Sequence, residues 1–236
     1  MKDLFGKAIL DYQTGNKPEN LLTETSISEE DEMDVSYLFR DFRKMPKIEQ
    51  MALQLSRGRV LDVGCGAGSH SLYLQNNRKL DVTAIDISEN AVEACRLRGL
   101  KNVFVQDIMK MEPSAKFDTV LLLMNGTGIF GKLSNAGACF QKLKTLLNSG
   151  GQILIDSSDI IYMFDEDEDG GKWIPDNNRY YGELVFNVSY KNEKEEPFDW
   201  LYLDYGSLRN VALDNGFKSE LIIEGKHFDY LARLSL

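Results

Sequence analysis

Between residues 57 and 158 the chain alternates short, nearly continuous apolar runs with amphipathic segments, and no other feature restricts its fold as much. RVLDVG, DVTAIDI, NVFVQDI, DTVLLLM and GQILIDS read as strands of a sheet covered on both faces. Between them, SHSLYLQNN, SENAVEACRLRG and LSNAGACFQKLKTLLNSG read as helices. Ala91, Ala94 and Cys95 keep helical spacing, as do Leu133, Ala136, Phe140, Leu143 and Leu147. Strands that alternate with helices need parallel crossovers, so the class is α/β with an open, mostly parallel sheet. FKSELIIE and HFDYLARLSL are separated only by Gly225 and Lys226, which makes the last strand antiparallel and brings the sheet to about seven strands.

The flanks follow other rules. Residues 1–56 read as an N-terminal helical arm: a weak helix, a GNKP turn, the acidic run SEEDEMD as a solvated surface or mobile arm, and helical spacing on both sides of Pro46. Residues 57–236 form the main domain. Within it, 160–205 read as an insertion that covers the site: a loop carrying DEDEDGG, then a β-hairpin of ELVFNVSY and FDWLYLDY around KNEKEEP.

Charge narrows the partners. With 27 Lys and Arg against 37 Asp and Glu, the formal charge is −10, which opposes nucleic acid and anionic membrane surfaces at long range. No apolar stretch reaches membrane-spanning length. Cys65, Cys95 and Cys139 are widely spread, and His70 and His227 are remote from each other, so no metal site is expected. Free cysteines suit a reducing compartment, making cytoplasm the expected location, with the protein a monomer or homodimer.

The ligand is announced by Asp62-Val63-Gly64-Cys65-Gly66-Ala67-Gly68, which leaves the first strand where α/β sheets bind ligands. Glycine admits positive φ and removes the Cβ that would hold a ligand off the backbone. A dinucleotide turn, Gly-x-Gly-x-x-Gly, would need glycine at position 69, where this chain has Ser69. Nor does Gly-Lys-Ser/Thr follow, which excludes a Walker loop. Asp86 ends the second strand, where a carboxylate can accept both hydroxyls of a ribose. Asp107 ends the third, with Ile87 and Ile108 placed to line a ring. An NAD-dependent oxidoreductase and a non-catalytic binding or scaffold protein are the competing readings.

VLDVGCGAG, AIDIS, VQDIM and FDTVLLLMNG together resemble the class I S-adenosylmethionine-dependent methyltransferases, a likeness extending over residues 57–236 and including the terminal hairpin. The resemblance implies a Rossmann-like sheet and a methyl transfer from S-adenosyl-L-methionine, leaving S-adenosyl-L-homocysteine. It places Gly64, Cys65, Gly66 and Gly68 against the methionine part, Asp62 near its ammonium, Asp86 on the ribose, and Asp107, Ile87 and Ile108 beside adenine. Asn125 falls where cofactor and acceptor meet, and the arm of residues 1–56 would serve as a cofactor lid.

For the acceptor the sequence says less. MNGTG, residues 124–128, departs from the Asn/Asp-Pro-Pro-aromatic signature of members that methylate exocyclic amino groups of bases, which leaves a small-molecule N or O acceptor as the broadest fit. Asn125 and Asp156 are the candidate catalytic residues, as positioning group or base; Asp159 lies nearby. Arg40, near Tyr37, Phe39, Phe42 and Arg43, could meet the methionine carboxylate through its donor fork or be an ordinary surface arginine. His70, in the first turn of a helix, and His227 are weaker candidates. DEDEDGG is a solvated loop or an attractor for a cationic substrate, and Trp200, Tyr202 and Tyr205 form a substrate roof, a dimer surface or plain packing.

Overall fold

A computed structural model describes residues 2–112, 116–167, 169–174 and 179–236. Helix α1 spans Leu4–Thr14, β1 Leu21–Thr25, β2 Ser28–Met33 and α2 Lys47–Leu55. The α/β core follows as β3 Arg59–Val63, α3 Ser69–Asn76, β4 Asp81–Asp86, α4 Glu89–Leu97, β5 Val103–Val105, β6 Phe117–Leu122, α5 Leu133–Leu146 and β7 Leu147–Ser158. After it come β8 Glu183–Tyr190, β9 Glu193–Lys194, β10 Phe198–Leu201, α6 Tyr205–Asp214, β11 Lys218–Glu224 and β12 Asp229–Ser235.

The main sheet has the order β11-β12-β7-β6-β3-β4-β5. β3, β4, β5, β6 and β7 pair in parallel, while β12 runs antiparallel to both β7 and β11. The apolar runs are continuous because both faces are covered. Leu61, Val120, Leu122, Ile153 and Ile155 pack with Phe140 and Leu143 of α5 on one side. Their neighbours Val60, Leu121 and Leu154 pack with Ala52 and Leu53 of α2 on the other. This is the seven-stranded, Rossmann-like arrangement expected from the strand–helix alternation. The strand order reverses between β3 and β6, so the carboxyl ends of β3, β4 and β6 frame the crevice where ligands bind.

The flanks differ from expectation. Two strands interrupt the supposed helical arm. β1 pairs with β8, and a second sheet forms in the order β10-β8-β1-β2, with β9 attached to β8. The acidic run is therefore no mobile arm but β2, the edge of this sheet, whose charges discourage pairing with other chains. Residues 35–44 are two single turns rather than a helix. Asp34 accepts the Ser36 amide at 2.8 Å and Asp41 the Arg43 amide at 2.9 Å, and such local capping breaks a helix into turns. The expected hairpin is present, but its second strand ends at Leu201. Asp204 then caps α6 by accepting the Ser207 amide at 2.9 Å, so Tyr205 is helical.

The N-terminus joins the two sheets. Leu4, Ala8 and Ile9 of α1 are buried with Leu21, Val188 and Tyr190 of the second sheet and with Ala91 and Ala94 of α4. Glu195 accepts the amides of Lys2 at 2.6 Å and Leu4 at 3.1 Å, satisfying donors that a helix start leaves unpaired. Asp3 accepts the Ser88 hydroxyl at 2.9 Å and so fastens α1 to the start of α4, directly after β4. No helix among the described residues is long and apolar enough to cross a membrane. The same residues contain no group of three or more His, Cys, Asp and Glu able to hold a metal.

Candidate active site

The turn after β3 has Gly64, Gly66 and Gly68 at φ of 72°, 52° and 78°, a left-handed backbone that side-chain-bearing residues adopt at a cost. At Gly66 an added Cβ would meet nothing within 4 Å: the backbone faces an open cradle. Gly68 differs, since a Cβ there would lie 2.8 Å from the Cys95 sulfur. Gly68 thus serves close packing of α4, and Gly66 the approach of a ligand.

Asp86 is oriented by this turn. Its Oδ2 accepts the Gly66 amide at 2.8 Å and its Oδ1 the Ser88 amide at 2.9 Å. A carboxylate has about four acceptor sites, so capacity for two hydroxyls remains. Burial raises its pKa, opposed by these two amides. Ile87 beside it is 58% exposed, an apolar side chain left open at the strand end, while Ile108 is buried. Asp107 caps the turn after β5, accepting the Met109 amide at 2.9 Å, and pairs with Lys110 at 3.4 Å.

Asp62 lies deeper than the resemblance implies. It is 2% exposed, and its Oδ2 accepts the Ser71 hydroxyl at 2.6 Å, tying β3 to α3 beneath the glycine turn. Burial raises its pKa, opposed by His70 and Ser71. Cys65 also points inward, 4.0 Å from the Cys95 sulfur in the apolar packing behind the turn. Its backbone lies at the cradle and its side chain does not.

Arg40 is no surface residue. Only 7% exposed, it donates through Nη2 to Glu49 Oε1 at 2.5 Å and through Nη1 to the Tyr37 carbonyl at 2.6 Å, with its guanidinium 3.9 Å from the Tyr37 ring centre. Its Nε is buried without a partner, alone in this among the side-chain N and O atoms of the described residues. Glu49 also meets His70, Oε2 to Nε2 at 2.7 Å, and both are buried. Reading the sequence missed Glu49, whose only signal was an acid on the apolar face of α2.

At the other end of the crevice, Met124 and Asn125 have φ of 65° and 61°. Asp156 explains how two such residues persist in succession. It is 3% exposed, with Oδ2 accepting the Met124 amide at 3.0 Å and Oδ1 the Gly126 amide at 2.9 Å. Burial lifts its pKa to about 7, opposed by those amides. Asp156 clamps the turn's backbone, and neither oxygen is left without a bond. Asn125 likewise turns to its own scaffold: Nδ2 donates to the Leu201 carbonyl at 3.2 Å, and Oδ1 accepts the Ser157 hydroxyl at 2.9 Å.

Those bonds dock the second sheet over the strand ends. Thr127 adds a bond to the Leu201 carbonyl at 2.9 Å, and the Leu203 amide donates to Ser157 Oγ at 2.9 Å. Leu201 and Leu203 enter the core, so alternation turns Tyr202 the other way, half-buried; its ring stacks loosely on Phe186 with centres 6.5 Å apart. Trp200 lies against Gly128, where a Cβ would come within 2.0 Å of the ring. Phe186, Phe198 and Trp200 join in one aromatic patch, with centres about 6 Å apart. Tyr205 instead packs edge-on to Tyr230, away from this patch.

The remaining candidates stand apart. Asp159 accepts the Tyr181 hydroxyl at 2.7 Å, and His227 is exposed in the β11–β12 turn. In the acidic stretch 165–171, Glu166 pairs with Lys172 at 2.8 Å, and Glu168 lies outside the described residues.

Comparison with known proteins agrees with this geometry. The methyltransferase domain family matches residues 55–204. An S-adenosylmethionine-dependent methyltransferase from Bacteroides fragilis, solved in complex with S-adenosyl-L-homocysteine, is 47% identical, with a TM-score of 0.91 over 100% of this chain and 95% of that one. The sugar N-methyltransferase KedS8 from Streptoalloteichus shares the fold at 16% identity, with a TM-score of 0.60 over 86% of this chain and 92% of that one. The ribosomal RNA small subunit methyltransferase C of Salmonella arizonae is 35% identical over 109 residues, 42% of this chain; the match spans only 31% of that longer protein. The chain belongs to the class I S-adenosylmethionine-dependent methyltransferase family.

Proposed function

We propose that the protein transfers the methyl group of S-adenosyl-L-methionine to a nitrogen or oxygen atom of a small molecule held between the strand ends and the second sheet. The observation that carries this reading is Asp86, one of whose oxygens is aimed by the Gly66 amide of the turn that would hold the cofactor and the other by the Ser88 amide at the start of α4. Its remaining acceptor sites suit the two ribose hydroxyls. Ile87 and Ile108 line the adenine, beside Asp107. The open cradle at Gly66 and the orphaned Arg40 Nε both fit the methionine part, the first by space and the second by offering a donor to its carboxylate. Asp62 acts from below, by holding Ser71 and α3.

When bound, the cofactor supplies an activated methyl on a sulfonium, so no covalent protein intermediate is required. The protein's part is to position the acceptor and exclude water. Asn125 and Asp156 fix the turn after β6, and Asn125, Thr127 and Ser157 fix the roof above it. With Asp156 only 3% exposed beneath the turn and its oxygens on backbone amides, an acceptor that needs no base, an unprotonated amine, suits the site better than an alcohol. The aromatic patch around Trp200 and Tyr202 favours an acceptor with an apolar or flat body.

The test is calorimetric titration of the ligand-free protein with S-adenosyl-L-homocysteine and with NAD, followed by turnover assays on paired amines and alcohols. Micromolar binding of the first ligand only, with product formed from amines, is expected. Binding of NAD instead would return Asp86 to a dinucleotide ribose. Cofactor binding with no turnover of any acceptor would favour a non-catalytic binding protein.

A further inference from the structure

The buried Arg40–Glu49–His70 chain is expensive. Three ionisable groups leave water together, and such clusters fix geometry more reliably than they add stability. Burial opposes the charged form of Glu49, yet His70 and Arg40 outweigh it and hold its pKa below the usual value. Burial also opposes protonated His70, yet Glu49 and Asp62 outweigh it and raise that pKa. The contact between Glu49 and His70 therefore favours the charged form of each.

Its placement points to a ligand. Ser69 Oγ donates to the Leu38 carbonyl at 2.6 Å, which pins the strap carrying Arg40 onto the first turn of α3, immediately after Gly68. His70 comes from that same turn, and Glu49 from α2 on the far side. Arg40 has five N–H donors and uses two, one on Glu49 and one on the Tyr37 carbonyl, while its Nε is buried and unmatched. A planar cation with spare donors is the group that receives a carboxylate.

Resting on the reading that the glycine turn binds S-adenosylmethionine, we propose that Glu49 and His70 are positioning residues that hold the Arg40 guanidinium for the carboxylate of the cofactor's methionine part. Glu49 fixes the guanidinium in plane, and His70 shares the Glu49 charge. With His70 protonated, Glu49 is divided between two cations, and Arg40 keeps positive field for a second anion. With His70 neutral, Glu49 falls on Arg40 alone and that field weakens. Affinity for a carboxylate-bearing ligand should then drop as pH rises through the His70 titration. The other charged groups acting on this chain are Asp62 from β3 and Asp156 from β7. Asp156 titrates nearby, so D156N belongs in the comparison.

The experiment is calorimetric titration at several pH values between about 6 and 8.5 with two probes: S-adenosyl-L-homocysteine, and methylthioadenosine, which keeps the nucleoside and sulfur but lacks the carboxylate. Glu49→Gln should weaken S-adenosyl-L-homocysteine about tenfold and leave methylthioadenosine within about twofold. His70→Gln keeps a hydrogen bond to Glu49 without the charge, and should remove the pH dependence that wild type and D156N both show. If Glu49→Gln fails to fold, His70→Gln decides alone. Equal loss of both probes would mark the chain as merely structural and overturn the proposal, as would unchanged binding or a pH dependence that survives in His70→Gln. If wild type binds neither probe, the reading of the cofactor site fails instead.

Discussion

The two ends of the crevice, the proposed cofactor end and the proposed acceptor end, are built in opposite ways. At the cofactor end, residues near in sequence make the site by backbone geometry: Gly64, Gly66 and Gly68 take positive φ, and Gly66 aims Asp86 twenty residues on. At the acceptor end, the turn at Met124–Gly126 is held by Asp156, and its roof by contacts from Asn125 and Thr127 to Leu201 and from Ser157 to Leu203. The first end is a rigid local motif. The second is a docking surface between two sheets. A lesion in one end should therefore leave the other largely unaffected.

The largest effect should come from Asp86→Ala. The change removes the acceptor that both the Gly66 and Ser88 amides share, along with the proposed ribose contacts, and hydrogen bonds to a charged group are each worth about 1.5–3 kcal/mol. Affinity for S-adenosyl-L-homocysteine should fall at least about a hundredfold, while the second sheet stays docked. Calorimetry gives the first result, and tryptophan fluorescence in a Trp173→Phe background, which leaves Trp200 as the single tryptophan, the second. A shifted Trp200 spectrum in this variant would join the two ends.

The converse is Trp200→Ala, which uncovers Gly128 and breaks the patch with Phe186 and Phe198. Truncating a half-buried tryptophan should cost about 2–3 kcal/mol, read as a lower urea midpoint. Affinity for S-adenosyl-L-homocysteine should stay within about twofold, since the proposed cofactor contacts lie at the glycine turn and Asp86. If it falls in step with stability, the comparison is wrong.

That difference also decides what was legible in the sequence. The main sheet was readable because its periodicity is local and both of its faces are buried. Gly66 and Asp86 were readable because a turn and a strand end mark them. The second sheet was not, because β1 finds its partner in β8, more than a hundred residues away, and SEEDEM has too few apolar side chains to announce a strand. Arg40 carries a signal in the sequence, but its buried setting depends on Glu49, which it meets, and on His70, which meets Glu49 from a separate helix. The position of Asp156 at a strand end allows a positioning group or a base; that its oxygens meet backbone amides depends on the left-handed turn at Met124 and Asn125, about thirty positions earlier.

Asp156 gives the next sharpening, through pH. Its folded pKa of about 7 lies above the unfolded value near 3.9, so the native state binds the extra proton and stability is lost as pH rises between them. From about pH 5.5 to 8 the wild type should lose about 2 kcal/mol more than Asp156→Asn, with the two curves parallel above about pH 8. Urea unfolding across that range checks it. Parallel curves throughout would mean that Asp156 stays ionised and that the amides, not burial, govern it.

The smallest effect is expected at Cys65, which sits in the middle of the glycine turn but turns its sulfur toward Cys95, Val92 and Leu100. The Cys95 contact and burial push its pKa well above the ordinary thiol value, so it is a packing group and no thiolate. Cys65→Ala should cost roughly 1 kcal/mol of stability and change S-adenosyl-L-homocysteine affinity less than about twofold. A tenfold loss of affinity without loss of stability would place the side chain against the cofactor. The cofactor end would then depend on a side chain as well as on the backbone, and the contrast with the acceptor end would narrow.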